Sequence, residues 1–217
     1  KNMDYKNKEL KTYYSNLRLN MLPIIPASEK VLEIGCGNGV LLDYLKKNNL
    51  AKETWGVEMN HKEYLPSLDH FLLGKAEDNL VNLPNNYFDC IICNDVLEHV
   101  FDPYTLLKEL KLKLKDGGVV VASIPNIRHL SVMINLIVKG DFRYRDAGIM
   151  DFTHMRFFTK KSIIRMFKEA GYEIDILKPV SRGLGKDRWI EKLVLFFAKL
   201  VLGNEIDVVQ FAVVTKK

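Results

Sequence analysis

No apolar run in this chain reaches the roughly 20 residues that cross a bilayer. The greasiest stretch, Ile190 to Leu202, is broken by Glu191, Lys192 and Lys199, so it does not read as a membrane span. Cysteine is scarce: Cys36, Cys90 and Cys93 form an odd set that suits free thiols in a reducing compartment better than a disulfide framework. Residues Lys1 to Leu10 are polar and Lys-rich with none of the apolar core of an export signal, which places the chain in the cytoplasm by expectation. No repeat, low-complexity tract or Gly/Ser-rich linker divides the sequence. The net charge of +5 is scattered through every segment, without the dense basic stripe and interleaved aromatics of a nucleic-acid surface, and no nucleic-acid partner is expected.

What is present is the composition of a globular chain: 217 residues, 47% hydrophobic and 27% charged. This excludes disordered, collagen-like and coiled-coil classes. The length lies below the roughly 250 to 300 residues at which one core stops growing, so a single domain over 1–217 is expected. Two segments read as additions that cover or shape a site: an N-terminal cap over about 1–27, with a helix near Leu10 to Met21, and an insert over about 127–158.

Strands are predicted at Lys30 to Ile34, Glu53 to Glu58, His70 to Leu73, Phe88 to Asn94, Val119 to Ile124, Tyr172 to Leu177 and Asp207 to Thr215. Several are apolar throughout, the mark of burial on both faces. Helical patterns lie between them: Gly39 to Asn48, Asp102 to Lys115 with Asp102 as N-cap and Pro103 at the first helical position, and Lys160 to Ala170 between Thr159 and Gly171. The alternation predicts an α/β fold, Rossmann-like, with a largely parallel sheet and helices on both faces. An antiparallel closing strand is expected after the amphipathic Asp187 to Leu202 helix.

The first strand, Val31-Leu32-Glu33-Ile34, runs into Gly35-Cys36-Gly37-Asn38-Gly39 and a helix, a geometry that brings a ligand against bare backbone and exposed amides. A dinucleotide fingerprint would need its third glycine near position 40, which is Val. Glu33 beside the loop would repel a pyrophosphate and suits an amine. Glu58, ending the second strand, can accept from both hydroxyls of a ribose. A ligand with a ribose, an amine and no obvious phosphate describes S-adenosylmethionine.

Here the chain resembles the class I S-adenosylmethionine-dependent methyltransferases. The likeness covers about residues 28 to 180. It runs through the glycine loop, Gly56-Val57-Glu58, the stretch Phe88 to Pro103 that contains Asn94-Asp95-Val96-Leu97-Glu98-His99, and the Lys115-Asp116-Gly117-Gly118 turn. The resemblance implies a seven-stranded sheet with a reversed last strand and S-adenosylmethionine as methyl donor. Carried over residue by residue, Glu33 lies near the methionine amine, Glu58 holds the ribose, Ala76 and Glu77 flank the adenine, and Asn94 lies beside the methionine end. Gly35, Cys36, Gly37, Met59, Asp95 and Tyr14 complete the expected cofactor set. Tyr13, Tyr14 and Arg18 lie on the expected N-terminal helix, where they either close over the cofactor, grip an anionic acceptor or, for the two tyrosines, pack that helix on the sheet. The segment Gly148-Ile149-Met150-Asp151-Phe152-Thr153-His154-Met155-Arg156-Phe157-Phe158-Thr159 is similar to a bacterial branch that accompanies cell-surface polysaccharide synthesis. Similarity to ubiquinone-biosynthesis O-methyltransferases is confined to the core and the Leu97-Glu98-His99 region.

Methyl transfer from a sulfonium requires alignment and exclusion of water, and only a hydroxyl acceptor needs a base. His99 and His154 are the candidates, against the bland readings that His99 fixes a turn and that Asp151 and Arg156 form a structural ion pair beside buried Phe157 and Phe158. Tyr144, Asp151 and Arg156 are the expected substrate residues. The expected acceptor is a sugar or related anionic precursor of a surface polysaccharide; a phenolic or lipid-like small molecule is the alternative, favoured if the pocket near Phe152 and Phe157 is apolar and lacks Arg156. A non-catalytic binding module is the rival from another class. In the quinone enzymes the positions of Asp95, Glu98 and His99 are associated with a divalent metal, but none is expected here, because Asp95 is a shorter acid than the usual Glu. Cys90 and Cys93 point to opposite faces of a strand and read as core. Trp189, Leu193, Phe196, Phe197 and Leu200 form a helical stripe, read as core or a homodimer contact rather than a membrane-surface anchor.

Overall fold

The computed structural model describes residues 17–59, 67–182 and 189–217. Tyr13, Tyr14 and the side chain of Trp189 lie outside the described residues, as does most of the expected N-terminal helix. Its described end, residues 17–21, is coil and turn rather than helix, with Arg18 at φ 51°.

Seven strands form one sheet: β1 (Ser28–Ile34), β2 (Ala51–Glu58), β3 (His70–Leu73), β4 (Phe88–Asn94), β5 (Leu114–Pro125), β6 (Glu173–Arg182) and β7 (Val208–Lys216). Their order is β3-β2-β1-β4-β5-β7-β6. β1 pairs in parallel with β2 and with β4 and β2 pairs in parallel with β3, as the alternation of elements predicts, and β6 and β7 are antiparallel, where that alternation breaks. Among the described residues the helices are α1 (Val40–Lys47), the short α2 (Ala76–Asn79), α3 (Pro103–Lys113), the short α4 (Leu130–Met133), α5 (Lys160–Glu169) and α6 (Trp189–Leu202).

Apolar sequence decides the centre. In β4, Phe88, Cys90, Ile91, Ile92 and Cys93 have no exposed surface, and the three cysteines are free thiols. Phe88, Ile91 and Ile92 each contribute roughly 1.5 to 3 kcal/mol through burial. The strand β5 takes in the expected Lys115 to Gly118 turn. Gly117 there has φ +76°, and at Gly118 a Cβ would come within 3.0 Å of the Phe88 carbonyl. Pro179 sits in β6, the outermost strand, where a missing N–H costs no ladder bond with a further strand.

Helix starts follow their caps. Asp102 Oδ1 accepts from the backbone N–H of Tyr104 and of Thr105, both at 3.1 Å, at the head of α3. Thr159 and Ser162 form a reciprocal capping box at the head of α5. In α6 the stripe has helical spacing, yet Leu193, Phe196, Phe197 and Leu200 are each at least half exposed. The core reading of that stripe is therefore wrong for these four residues. Periodicity shows a helix has an apolar face but not what covers it.

By its contacts the chain falls into two compact units, one of Lys1–Cys93, Lys108–Val121 and Lys217, the other of Asn94–Leu107 and Ala122–Lys216. No helix of the described residues is long and apolar enough to cross a membrane.

Candidate functional site

In the first unit the chain leaves β1 through Gly35, Gly37 and Gly39, all at positive φ. At Gly39 the left-handed turn starts α1, and a Cβ there would lie 2.5 Å from Leu68 Cδ1, so only glycine fits without displacing that side chain. Three loop amides are tied to the end of β2: Gly35 N–H (2.8 Å) and Cys36 N–H (3.2 Å) donate to the Val57 carbonyl, and Gly37 N–H to Glu58 Oε2 (2.8 Å). Glu58 is buried, so the side chain expected to meet a ribose also fixes the curve of the loop. Cys36 is buried, its thiol is pushed up by burial, and it fills the space over Gly56, where a Cβ would meet its Sγ at 2.6 Å.

Glu33 is buried at 4% exposure, and its Oε2 has no hydrogen-bond partner among the described residues. Burial pushes its carboxyl from 4.5 up to about 8; the Arg18 charge pulls it down and Glu58 adds to the rise. A buried carboxyl with an unused oxygen is costly unless a ligand completes it. An ammonium group would do so, and this fits the amino group of S-adenosylmethionine. Elsewhere in the unit, Met59 is exposed after β2, and Ala76 and Glu77 open α2, with Ala76 buried and Glu77 exposed.

In the second unit, Asn94 ends β4, 7% exposed, and neither atom of its side-chain amide has a hydrogen-bond partner among the described residues. Asp95 follows at φ 53°. Its Oδ1 accepts from Ser123 Oγ (2.9 Å) and from Gln210 Nε2. Glu98 is buried, and its backbone carbonyl accepts from the N–H groups of Met155 (2.8 Å) and Arg156 (3.0 Å), which ties the 148–156 segment to the turn after β4.

The two histidines come together. Their rings meet edge to face with centroids 4.7 Å apart. His99 is half-buried, with Nδ1 lying 3.2 Å from both the backbone carbonyl and the hydroxyl of Thr153. The His154 ring is buried, its Nδ1 is 3.0 Å from the Ile149 carbonyl and its Nε2 is 4.0 Å from Glu98 Oε1. Burial, and then the neighbouring His99, hold His154 below the usual histidine range.

The ligand atoms that converge are those of Glu98, His99 and His154, all within 4.8 Å of one another. Asp95 is not among them, because its carboxylate is taken up by Ser123 and Gln210. The converging set thus differs from the Asp95, Glu98 and His99 positions associated with a metal in the quinone enzymes.

Of the expected substrate residues, Asp151 is 5% exposed and its Oδ1 accepts from the N–H (2.9 Å) and hydroxyl (2.6 Å) of Thr153. Arg156 donates from Nε (2.9 Å) and Nη2 to the Phe101 carbonyl, and its guanidinium lies over the Phe101 ring. Asp151 and Arg156 thus have separate anchors, Thr153 and Phe101, rather than the ion pair of the bland reading. Tyr144 is half exposed in a cluster with Phe142 and Phe157. Thr153 and Gln210 carry contacts that no local pattern announces. Only the Asp-x-Thr spacing, which favours a turn closed by the Asp side chain, hinted at Thr153.

Residues 6–176 match a family described as a methyltransferase domain. The chain belongs to that family. Among curated relatives, this methyltransferase is 28% identical over 163 residues to a ubiquinone biosynthesis O-methyltransferase of Thiobacillus denitrificans, covering 70% of this chain and 67% of the relative. It is 26% identical over 150 residues to the protein of the same name from Aeromonas salmonicida, covering 66% of this chain and 62% of the relative. The chain thus spans about two thirds of the length of these relatives. Among solved structures, a SAM-dependent methyltransferase from Archaeoglobus fulgidus superposes with a TM-score of 0.64 at 21% identity, over 96% of this chain and 94% of that one. The fold of the methyltransferase is therefore that of the S-adenosylmethionine-dependent enzymes.

Proposed function

We propose that this methyltransferase transfers the methyl group of S-adenosylmethionine to a hydroxyl oxygen of a small, largely apolar or phenolic acceptor. The donor assignment rests on the family match together with the incomplete buried carboxyl of Glu33. S-adenosylmethionine, when bound, supplies an electrophilic methyl group: the acceptor oxygen bonds to its carbon as the carbon–sulfur bond breaks and that electron pair stays on sulfur. Glu33 would hold the amine, Glu58 the ribose, and the loop from Gly35 to Gly39 would let the ligand approach the backbone. Asn94 would give its side-chain amide to the methionine end, and Met59, Ala76, Glu77 and Asp95 remain proposed cofactor neighbours. The protein's contribution is alignment and exclusion of water, plus a base for the hydroxyl proton.

The observation that carries the acceptor class is the position of Arg156. The guanidinium expected to grip an anionic sugar precursor is instead directed at the Phe101 carbonyl through Nε and Nη2 and lies over the Phe101 ring, which favours a less charged acceptor. Beside that anchor the structure offers rings, Phe142, Tyr144 and Phe157. The relatives' O-methylation points the same way, whereas nothing in the comparisons supports a polysaccharide substrate.

Calorimetric titration of S-adenosylhomocysteine tests the donor, with NAD as control and Glu58→Ala alongside. Binding lost in the variant and absent for NAD is expected. Competition of catechols and other phenols against nucleotide sugars, with labelled donor, tests the acceptor: label is expected in the phenols, and label confined to the sugars would reverse the assignment.

A further inference from the structure

We infer that Gln210 and Ser123 are positioning residues for the methyl donor: acting through Asp95, they aim the side-chain amide of Asn94 at the methionine end of S-adenosylmethionine. The inference deepens the proposed function and rests on it for the identity of the ligand. It starts from the backbone. Asp95 follows β4 at φ 53°, in the left-handed region that side chains disfavour and that Asp and Asn enter more readily than most residues. Such a conformation persists where the surroundings over-determine it, and it is found most often at functional sites. Here the Asp95 N–H donates to the Ser123 carbonyl (3.1 Å) and to Ser123 Oγ (3.2 Å). The Asp95 Oδ1 in turn accepts from Ser123 Oγ (2.9 Å) and from Gln210 Nε2. Ser123 is fully buried in β5, and Gln210 is half-buried in β7, the strand next to it. The turn after β4 is held by two further strands, through its main chain and through its side chain.

The residue so positioned is Asn94. Its carbonyl and the Asp95 N–H share one peptide plane. The bonds to Ser123 fix that plane on one side of Asn94, the strand β4 fixes the other, and the Cβ between them is left a single direction. The amide it carries is buried, and neither of its polar atoms has a hydrogen-bond partner among the described residues. Buried amides without partners are rare, and the C-terminal ends of strands in largely parallel sheets are where such folds bind ligands. The amino-acid portion of the donor offers what the amide lacks, a carboxylate to accept from Nδ2 and an ammonium to donate to Oδ1. Gln210 restrains the Asp95 carboxylate from beyond β5. A donor lost there loosens the left-handed turn, and with it the aim of Asn94.

The test is calorimetric titration of S-adenosylhomocysteine, which carries the methionine end and needs no acceptor, into the intact chain. Gln210→Met, which keeps the length and removes the donor, is expected to weaken binding about tenfold. Gln210→Glu, of the same shape but with a like charge toward Asp95, is a second variant expected to do at least as much. Asp95→Asn keeps an acceptor oxygen and the tolerance of left-handed backbone, and is expected to stay within about twofold of the wild type. The deciding arm is a double-mutant cycle: with Asn94→Ala already in place, Gln210→Met is expected to weaken binding by no more than about a further twofold. A purely structural role for Gln210 would make the two losses additive, and that result would overturn the inference. So would Gln210 variants that bind like the wild type, or an Asn94→Ala that does. A loss in Asp95→Asn as large as that in Gln210→Met would show that the charge of Asp95 serves the ligand directly, and would overturn the positioning role. No binding by the wild type would instead overturn the donor reading and the inference with it, whereas wild-type binding with indifferent variants removes the inference alone.

Discussion

At the scale of single residues, the most informative side chain is Glu33, a buried carboxyl near the end of β1 whose affinity for its proton is raised by burial beside the glycine loop. Because its carboxyl is lifted to about 8, the folded protein binds a proton there that the unfolded chain releases above its ordinary 4.5. That contribution to stability is complete below pH 4.5 and is lost as pH rises through about 8. An ammonium ligand reverses the preference, since a positive neighbour favours the carboxylate. Binding of S-adenosylhomocysteine at pH 7 is therefore expected to expel close to one proton, fewer above pH 8, and to tighten as pH climbs toward that value. Calorimetry in buffers of different ionisation enthalpy measures this, with Glu33→Gln removing the effect. Identical heats in every buffer would show that the amine lies elsewhere. Glu33 and the glycine loop were legible in the sequence because a strand, its loop and its acid are contiguous. The link from Thr153 to His99, 54 residues apart, and that from Gln210 to Asp95, 115 apart, were not, since no local pattern records a partner so distant. Arg156 was read as a pocket cation, but a guanidinium takes whichever carbonyl is aimed at it, and only the fold shows that Phe101 supplies one.

At the scale of elements, periodicity and caps placed strands and helices closely. Thr159 begins α5 where its capping box satisfies amides at the helix head, and Gly171, at φ 85°, follows its end. Replacing Thr159 with Ala is expected to cost about 1 kcal/mol, read as a lower urea midpoint with an unchanged slope. Thr159→Ser should retain most of the stability, and a melt unaffected by the alanine would mean that the cap is redundant. The same reasoning failed on α6, whose stripe was visible while its burial was not. Helical spacing is a property of one element, and coverage is a property of two. β5 differed in another way: the turn expected as its boundary lies inside it, because Gly117 and Gly118 let the chain bend without leaving the ladder.

At the scale of the whole molecule, the proposed donor site predicts linkage between ligand and stability. A ligand that binds only the folded chain, at a hundred times its dissociation constant, adds about 2.7 kcal/mol. S-adenosylhomocysteine at that excess is expected to raise the melting temperature of the wild type, NAD to leave it unmoved, and Glu58→Ala to abolish the gain. A rise of equal size with NAD would return the loop to the dinucleotide binders that Val40 argues against. The α/β class and the parallel pairing of the early strands were legible because they follow from the alternation of elements, and the reversed final pair was legible where that alternation breaks. The sheet order carries one more consequence, for synthesis on the ribosome. β7 is made after β6 yet lies between it and β5. A nascent chain thus carries two strand edges with a gap between them until its last strand emerges, and that interval is when the growing polypeptide is most exposed to mispairing and to capture by chaperones.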